Sequence, residues 1–292
     1  MILFGPSGNS DSFYEQGYKS SVDMPAWLSK IGLDAYEYSC SRGVRISWDM
    51  AGKLRGEARK YNIILSVHAP YYINLASEDN RIIINSENYI FSTSTAAKAM
   101  GADRVVLHPG SVGKMDRHRA FSNVKRNLYN ILQKLKDKNI NINLCPETMG
   151  KKNQIGTLDE ILELCLLDKS LIPTLDFGHL HAINSGALNN IDDFRRVFDK
   201  VINTLGDERG RKLHIHYSRI EFTEKAGEKK HWTYTDSQYG PEFEPLAECL
   251  LEYGISATII CESRGTMAED AISLSNIYKS ILNKNLFKLE NL

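Results

Sequence analysis

Short apolar runs alternate with longer amphipathic runs from one end of the 292-residue chain to the other. The short runs are typical of buried β-strands, and the longer runs carry apolar residues at helical spacing. Eight such pairs follow one another without a linker or a low-complexity segment. An α/β chain of this kind either closes into a (β/α)8 barrel or forms an open, doubly wound sheet.

The predicted elements favour the barrel. The predicted strands span residues 2–5, 34–39, 62–68, 103–108, 141–147, 172–176, 212–217 and 256–262. The predicted helices span residues 24–31, 47–60, 80–100, 117–138, 157–168, 191–205, 242–253 and 267–284. The first loop, "FGPSGNS", lacks the glycine spacing of a dinucleotide-binding sheet. We therefore expect one TIM-barrel domain over residues 1–292, with the active site at the C-terminal strand ends.

Composition excludes several other classes of protein. The 36 basic residues balance the 36 acidic ones, so no global field indicates a nucleic-acid or membrane partner, although a local basic face remains open. The five cysteines form no CxxC pair and lie in apolar runs, which is typical of buried thiols in a reducing compartment. The N-terminus turns polar too soon for a signal peptide. We expect a cytoplasmic protein that has neither a membrane span nor an obligate protein partner.

Histidines and carboxylates collect at the predicted strand ends and in the loops that follow them. Seven of the eight histidines fall there, and only His118 lies elsewhere. The residues concerned are His68, His108, Glu147, Asp176, His179, His181, His214, His216, His231 and Glu262. One buried histidine is ordinarily a hydrogen-bonded core residue, but many together are costly to bury unless cations compensate them. Imidazole and carboxylate form the usual ligand set of zinc and also suit manganese or iron, so two or three ions are expected.

Several of these segments resemble a known family. "HAPYYINLAS", "LHPGS", "PETMGK", "LDFGH" and "CES" are similar, in order and spacing, to the successive motifs of endonuclease IV. That family comprises zinc-dependent apurinic/apyrimidinic endonucleases of the xylose-isomerase-like TIM-barrel superfamily. The resemblance implies two or three Zn²⁺ ions held by His68, His108, Glu147, Asp176, His179, His214, His231 and Glu262.

The resemblance also implies an activity. The protein would hydrolyse the backbone of double-stranded DNA 5′ to abasic lesions, using a metal-activated hydroxide. Glu147 and Glu262 would be the catalytic residues, Glu147 by bridging two ions and Glu262 by orienting or deprotonating the water. Tyr71 lies at the loop position that probes the duplex, where it could wedge into the base stack. A tyrosine packed on the barrel rim is the alternative for this residue.

Two segments depart from the family pattern. The seventh strand reads "HIHYSR", so His214 is assigned as the ligand and His216 as its possible substitute, because alternate strand residues share a face. Farther on, "GEKKH" places Lys229 where the family has a ligating aspartate, with Glu228 one residue away. We therefore expect a weak third metal site, and a Lys229 ammonium that contacts substrate phosphate instead.

Two other functions stay open. A sugar isomerase or epimerase of the same superfamily would use two metal-binding carboxylates and fewer histidines. A metal-dependent nucleic-acid-binding module with impaired catalysis would follow if Lys229 disabled the chemistry. The basic loops "GKMDRHR", "GKK" and "EKKH" suit phosphate contact, but they are equally explained as solvated charges.

Overall fold

Eight parallel strands form the centre of the computed structural model, which describes residues 1–290. The strands are β1 Ile2–Pro6, β2 Ala35–Ser39, β3 Ile64–His68, β4 Arg104–Leu107, β5 Asn143–Pro146, β6 Thr174–Asp176, β7 Lys212–Tyr217 and β8 Ser256–Cys261. All eight predicted strands are present, within a few residues of their predicted bounds.

The strands close into a barrel at two seams. Regular pairing joins β1, β8, β7 and β6 into one parallel sheet and β2, β3, β4 and β5 into another. Single parallel bridges then connect the two sheets, Ser7 with Glu37 at one seam and Glu147 with Thr174 at the other. Each strand therefore lies beside its neighbours in sequence, and the predicted TIM barrel is confirmed.

All eight predicted helices surround the barrel. They span Met24–Lys30, Trp48–Lys60, Asn80–Met100, Arg117–Asp137, Leu158–Cys165, Ile191–Leu205, Phe243–Glu252 and Met267–Glu290. The fourth buries the apolar stripe that its sequence predicts, namely Phe121, Val124, Leu128, Ile131, Leu132 and Leu135. The fifth begins with a capping box between Thr157 and Glu160.

Several short elements were not predicted. Asp11–Glu15, Ser21–Asp23, Phe177–Ile183 and Asp207–Gly210 are short helices, and Gly110–Ser111 pairs with Gln154–Ile155. The most important is a two-stranded hairpin after β7, formed by Arg219–Thr223 and Gly227–Trp232. We refer to this element as the β7 hairpin. Its charged, weakly alternating sequence resembles a loop, which is why pattern reasoning missed it.

The cysteines and the apolar character of the helices can be compared with the sequence expectations. The five cysteines are unpaired and buried, as their apolar neighbours predicted. Across residues 1–290, each helix is too short or too polar to cross a bilayer.

The seam between β1 and β2 requires a glycine. A Cβ atom on Gly5 would lie 1.9 Å from the carbonyl oxygen of Ala35. The strands are held at this distance by backbone hydrogen bonds from Asp34 to Phe4 (3.0 Å) and from Gly8 to Glu37 (2.8 Å). Any side chain at Gly5 must therefore push the two strands apart.

We expect Gly5→Ala to lower the free energy of unfolding by about 1–3 kcal/mol or more, because backbone atoms cannot yield to the added methyl group. The matched control is Gly52→Ala, on the exposed face of the helix Trp48–Lys60 with no heavy atom within 4 Å of its Cβ position. The Gly52→Ala change should raise the free energy of unfolding by roughly 0.5–1 kcal/mol. Urea unfolding followed by circular dichroism measures both, and equal effects of the two substitutions would contradict the close approach.

Candidate metal centre

Glu147, directly after β5, lies at the centre of the barrel mouth with its side chain fully buried. Its Oε2 lies 3.2 Å from Nε2 of His68 and 3.1 Å from Nε2 of His108. Its Oε1 lies 3.2 Å from Nδ1 of His216 and 3.3 Å from Nδ1 of His179. Four imidazoles, each on a different strand or in the segment directly after it, therefore surround one carboxylate, as expected at the C-terminal face of a barrel.

Two further carboxylates join Glu147 and His216 on one side of the mouth. Asp176 ends β6 and caps the next helix, with Oδ1 accepting a hydrogen bond from the backbone N–H of His179 at 2.7 Å. Glu262 follows β8, and its Oε2 lies 3.5 Å from Nδ1 of His216. Ligand atoms of Glu147, Asp176, His216 and Glu262 all lie within 4.8 Å of one another. This is the distance range of side chains that share an ion.

A third group forms where the β7 hairpin meets the barrel. Oε2 of Glu228 lies 3.4 Å from Nε2 of His179, and its Oε1 lies 3.5 Å from Nε2 of His231. The other ring nitrogen of His231 makes a 2.8 Å hydrogen bond with the hydroxyl of Ser218. His179 therefore stands between Glu147 and Glu228 and links the third group to the centre.

A register shift in the β7 hairpin determines which acidic or basic residue enters this group. Phe222 lies opposite Glu228 and Glu221 lies opposite Lys230, so Lys229 is an extra residue on its strand. An unpaired residue of this kind changes the alternation of side chains along the strand. Residues three apart, rather than two apart, then face the same side.

The shift brings Glu228 and His231 together and turns Lys229 away. The ammonium of Lys229 pairs with Glu221, and its side chain is largely exposed. The sequence placed Lys229 at the position of the family's ligating aspartate, with its ammonium free to contact phosphate, whereas the structure pairs that ammonium with Glu221 and brings the carboxylate of Glu228 to this position. Simple strand alternation could not reveal this, because it pairs His231 with Lys229.

The structure also reverses the order of preference between the two histidines of β7. His216 faces Glu147 and Glu262, whereas Nε2 of His214 lies 3.0 Å from Oε2 of Glu37, deeper in the barrel. Both histidines point inward, as alternation predicts. Alternation does not indicate which of the two reaches the mouth. The geometry places His216, the possible substitute, beside Glu147, and the assignment of either histidine as a metal ligand stays a prediction.

The electrostatics of the centre indicate a shortage of positive charge. Burial would lower the pKa of His68, but the hydrogen bond and charge of Glu147 outweigh it and raise the pKa to about 9. Burial likewise opposes charge on His179, yet Asp176 and Glu147 raise its pKa to about 10. Burial would raise the pKa of Glu147, but His216 and His108 hold it well below its usual range. Carboxylates that draw protons onto buried imidazoles would also attract metal cations.

The donor set fits divalent ions. Oδ2 of Asp176 is buried and has no hydrogen-bond partner in the described part of the chain. The three donor groups are His68–His108–Glu147, Glu147–Asp176–His216–Glu262 and His179–Glu228–His231. Among the side chains of residues 1–287, Lys151 is the one lysine or arginine that forms an ion pair with a carboxylate of these groups, and it lies 3.7 Å from Glu228. Nitrogen and oxygen donors in groups of three or four match zinc, manganese or iron.

The remaining predicted residues lie at or beyond the edge of the centre. The Tyr71 ring is exposed and stands 5.5 Å from the His68 ring and 5.2 Å from the His108 ring, centroid to centroid. Tyr72, also exposed, packs on Tyr89. The buried ring of His181, by contrast, accepts a 3.3 Å hydrogen bond from the backbone of Leu188 and joins none of the three groups.

Sequence reasoning did not identify Glu37 as part of this region. It lies in the middle of β2 in the segment "AYEYS", where an acidic residue between buried neighbours was the available signal. A charged residue in a buried strand is unusual enough to indicate a specific partner.

Comparison with known proteins places the barrel in a family. Residues 25–277 match the profile of the xylose isomerase-like TIM barrel proteins. The chain belongs to this family. An uncharacterized protein of Methanocaldococcus jannaschii is 34% identical over 281 residues, which cover 96% of this chain and 98% of that protein.

The resemblance to endonuclease IV is confirmed at lower coverage. A probable endonuclease 4 of Acholeplasma laidlawii is 32% identical over 141 residues, 47% of each chain, so this chain spans about half the length of that relative. Endonuclease IV from Thermus thermophilus has a TM-score of 0.67 at 19% identity, covering 90% of this chain and 94% of that one. A D-tagatose 3-epimerase-like protein reaches 0.72 at 20% identity, covering 92% and 96%. Both structures share the fold of this family member, and fold alone does not separate their activities.

We expect Glu228→Gln to remove about one metal ion per chain, because an amide replaces the single carboxylate of the third group. Lys229→Ala is the matched control and should leave the metal content unchanged, since its ammonium is directed at Glu221. Elemental analysis after dialysis against a weak chelator counts the ions, with at least two expected in the unmodified protein. Loss of metal in Lys229→Ala and retention in Glu228→Gln would contradict the register of the hairpin.

Proposed function

We propose that the protein is a metal-dependent phosphodiesterase that cleaves the DNA backbone 5′ to abasic sites. The observation that carries the proposal is the presence of three linked donor groups around Glu147. A single four-coordinate ion would leave most of these side chains without a role. Several ions together suit phosphodiester hydrolysis, because they can stabilise charge on the nucleophile, the phosphate and the leaving oxygen. Partial similarity to endonuclease 4 proteins supports the same activity.

The three donor groups would each hold one metal ion, and Glu262 would have a second role toward water. His68, His108 and Glu147 would hold one ion, Glu147 with Asp176, His216 and Glu262 a second, and His179, Glu228 and His231 a third. Bound divalent ions would supply charge neutralisation at phosphorus and lower the pKa of water.

Glu262 is the residue proposed to orient the attacking water. Burial would raise the pKa of Glu262, but the charge of His216 outweighs it and lowers the pKa to about 2. The carboxylate is therefore ionised at neutral pH. It lines an open cavity together with Tyr71 and His231, where a substrate water can reach it. An ionised carboxylate within reach of water can accept a hydrogen bond from that water and so orient it.

Charge around the same cavity suits an anionic substrate. Arg264 and Lys230 line it. Arg264 is exposed and forms no ion pair with the side chains of residues 1–287, and the ammonium of Lys230 lies 3.3 Å from the centre of the Trp232 ring. Among the side chains of residues 1–287 neither cation forms an ion pair with a carboxylate, so both could contact phosphate. A neutral sugar would not require them.

Three cations of the basic loops form ion pairs within the protein. Arg117 pairs with Glu160 and Arg119 with Glu78, so two cations of the loop after β4 are engaged within the protein. Lys229 is engaged in the same way. The proposed phosphate contacts therefore come from Arg264 and Lys230 rather than from the predicted Lys229.

The second candidate function is a sugar epimerase. The group of Glu147, Asp176, His216 and Glu262 contains three carboxylates and could hold one ion beside an acid–base pair. The similarity in fold to a D-tagatose 3-epimerase-like protein is compatible with this function. It gives no role to His68, His108 or the third group, and for that reason we favour the phosphodiesterase.

Glu147→Gln should reduce nicking of an abasic duplex by at least about 100-fold, because a neutral amide cannot bridge two cations. Glu163→Gln, at a half-exposed carboxylate paired with Lys125, is the isosteric control and should nick normally. The assay uses a labelled duplex with one abasic analogue and, in parallel, a ketose substrate for epimerisation. Conversion of the ketose without nicking would replace the proposed function by the epimerase.

Tyr71→Ala should weaken binding to an abasic duplex by about 1–3 kcal/mol relative to an intact duplex, because stacking into the gap occurs in the abasic duplex alone. Tyr72→Ala is the control, because the two tyrosines are similarly exposed, at 55% for Tyr71 and 58% for Tyr72. The Tyr71 ring packs beside His108 of the centre, whereas the Tyr72 ring packs on Tyr89. Binding is measured by fluorescence anisotropy with metal present. Equal losses on both duplexes would mean that Tyr71 does not sense the lesion.

A further inference from the structure

Glu37 is a fully buried carboxylate in the wall of the barrel, on the inner side of β2. Its ion-pair partners among residues 1–287 are the imidazoles of His214 and His216, and neither lysine nor arginine pairs with it. Burying a charge without such a partner is costly, so its retention calls for a specific role. The positions of its two oxygens indicate that role.

Two donors hold one oxygen of Glu37. Oε2 accepts a 2.8 Å hydrogen bond from the hydroxyl of Ser66, which is the register partner of Glu37 on β3. The same oxygen lies 3.0 Å from Nε2 of His214 and is hydrogen-bonded to it. Because Ser66 and His214 fix Oε2, the orientation of the whole carboxylate is fixed and Oε1 is directed at another group.

That other group is His216. Oε1 of Glu37 and Nε2 of His216 lie 3.1 Å apart as an ion pair, and within the described part of the chain neither atom has an aligned hydrogen-bond partner. On its opposite side the same ring presents Nδ1 to Glu147 at 3.2 Å and to Glu262 at 3.5 Å. The imidazole therefore stands between Glu37 below and the candidate metal centre above.

We propose that Glu37 is a positioning residue that keeps the proton of His216 on Nε2 and so presents the Nδ1 lone pair to a metal ion. A neutral imidazole carries one N–H, and the nitrogen without it is the one that can bind a cation. Glu147 and Glu262 would otherwise draw that proton to Nδ1. Carboxylates behind a ligating histidine act in this way, fixing the ring and raising its basicity. This inference rests on the proposed function only in treating His216 as a ligand.

The proposal also assigns a role to His214. Its Nε2–H donates to Glu37 and supports the carboxylate from below, so the residue acts on the centre through Glu37 and His216. Glu37, His214 and His216 could alternatively hold an ion of their own. We favour the positioning role because Oε2 already accepts two hydrogen bonds from protein donors.

The test is Glu37→Gln. With Ser66 and His214 donating to the amide oxygen, the amide NH₂ occupies the place of Oε1 and donates to Nε2 of His216. The proton of His216 must then move to Nδ1, the nitrogen that faces the centre. We expect zinc affinity to fall about 10–100-fold for one ion, measured by competition with a chromophoric chelator. Nitrogen-15 NMR of the zinc-loaded unmodified protein should show His216 bound through Nδ1 and protonated on Nε2.

Two controls separate this role from general damage. Glu163→Gln makes the same chemical change at an exposed carboxylate and should leave zinc affinity unchanged. Ser66→Ala removes one hydrogen bond to Oε2 and should lower zinc affinity in the same direction but by less. Circular dichroism and thermal unfolding confirm that each variant is folded.

Unchanged zinc affinity in folded Glu37→Gln would overturn the proposal. Binding of His216 through Nε2, or an additional ion lost together with the Glu37 carboxylate, would overturn it in favour of a separate metal site. A protein that fails to nick abasic DNA but shows the expected fall in zinc affinity would refute the phosphodiesterase and still support the role of Glu37.

Discussion

The buried carboxylate of Glu147 is the group on which the rest of the site depends. Four imidazoles lie within 3.3 Å of its two oxygens, and they come from strand ends far apart in sequence. A barrel is one of the few folds that can bring so many strand ends to one point. Burying this charge costs free energy that neutral imidazoles offset only in part, so the arrangement is stable when cations or added protons supply positive charge. The chemistry of the site follows from that requirement.

The third donor group depends on how the β7 hairpin docks on the loop after β5. The backbone N–H of Glu228 donates to the carbonyl oxygen of Gly150 at 2.9 Å. A Cβ atom on Gly227 would lie 2.1 Å from that same oxygen, and Gly227 has a φ of +82°, so a glycine is required there on both counts. The hairpin is therefore held against the barrel mouth, which positions Glu228 and His231 beside His179.

A shared barrel explains why endonucleases and sugar epimerases both resemble this chain. The strands supply the fold, whereas side chains at the strand ends, in the loops and on the hairpin supply the donor groups and the cations near the cavity. In this protein these side chains include His68, His108 and the group around Glu228, together with Arg264, which forms no ion pair with the side chains of residues 1–287. Specific function resides in such side chains rather than in the fold.

Much of the architecture could be predicted from the sequence. All eight strands and eight helices were predicted, because hydrophobic periodicity reports which face of each element is buried. The ends of the strands were predicted as the location of the site, since parallel strands in a barrel share one C-terminal face. His68, His108, Glu147, Asp176, His179, His231 and Glu262 lie together there, and their assignment as metal ligands remains a prediction.

Only the tertiary structure decided the remaining positions. Whether His214 or His216 reaches Glu147 depends on depth inside the barrel, which a two-residue period does not report. Whether Glu228 or Lys229 faces His231 depends on a single register shift in a hairpin whose sequence resembles a loop. The sequence by itself therefore determined the fold and the face that carries the site, through periodic burial of apolar side chains. The identity of individual neighbours was decided by contacts between segments far apart in the chain, which local patterns do not encode.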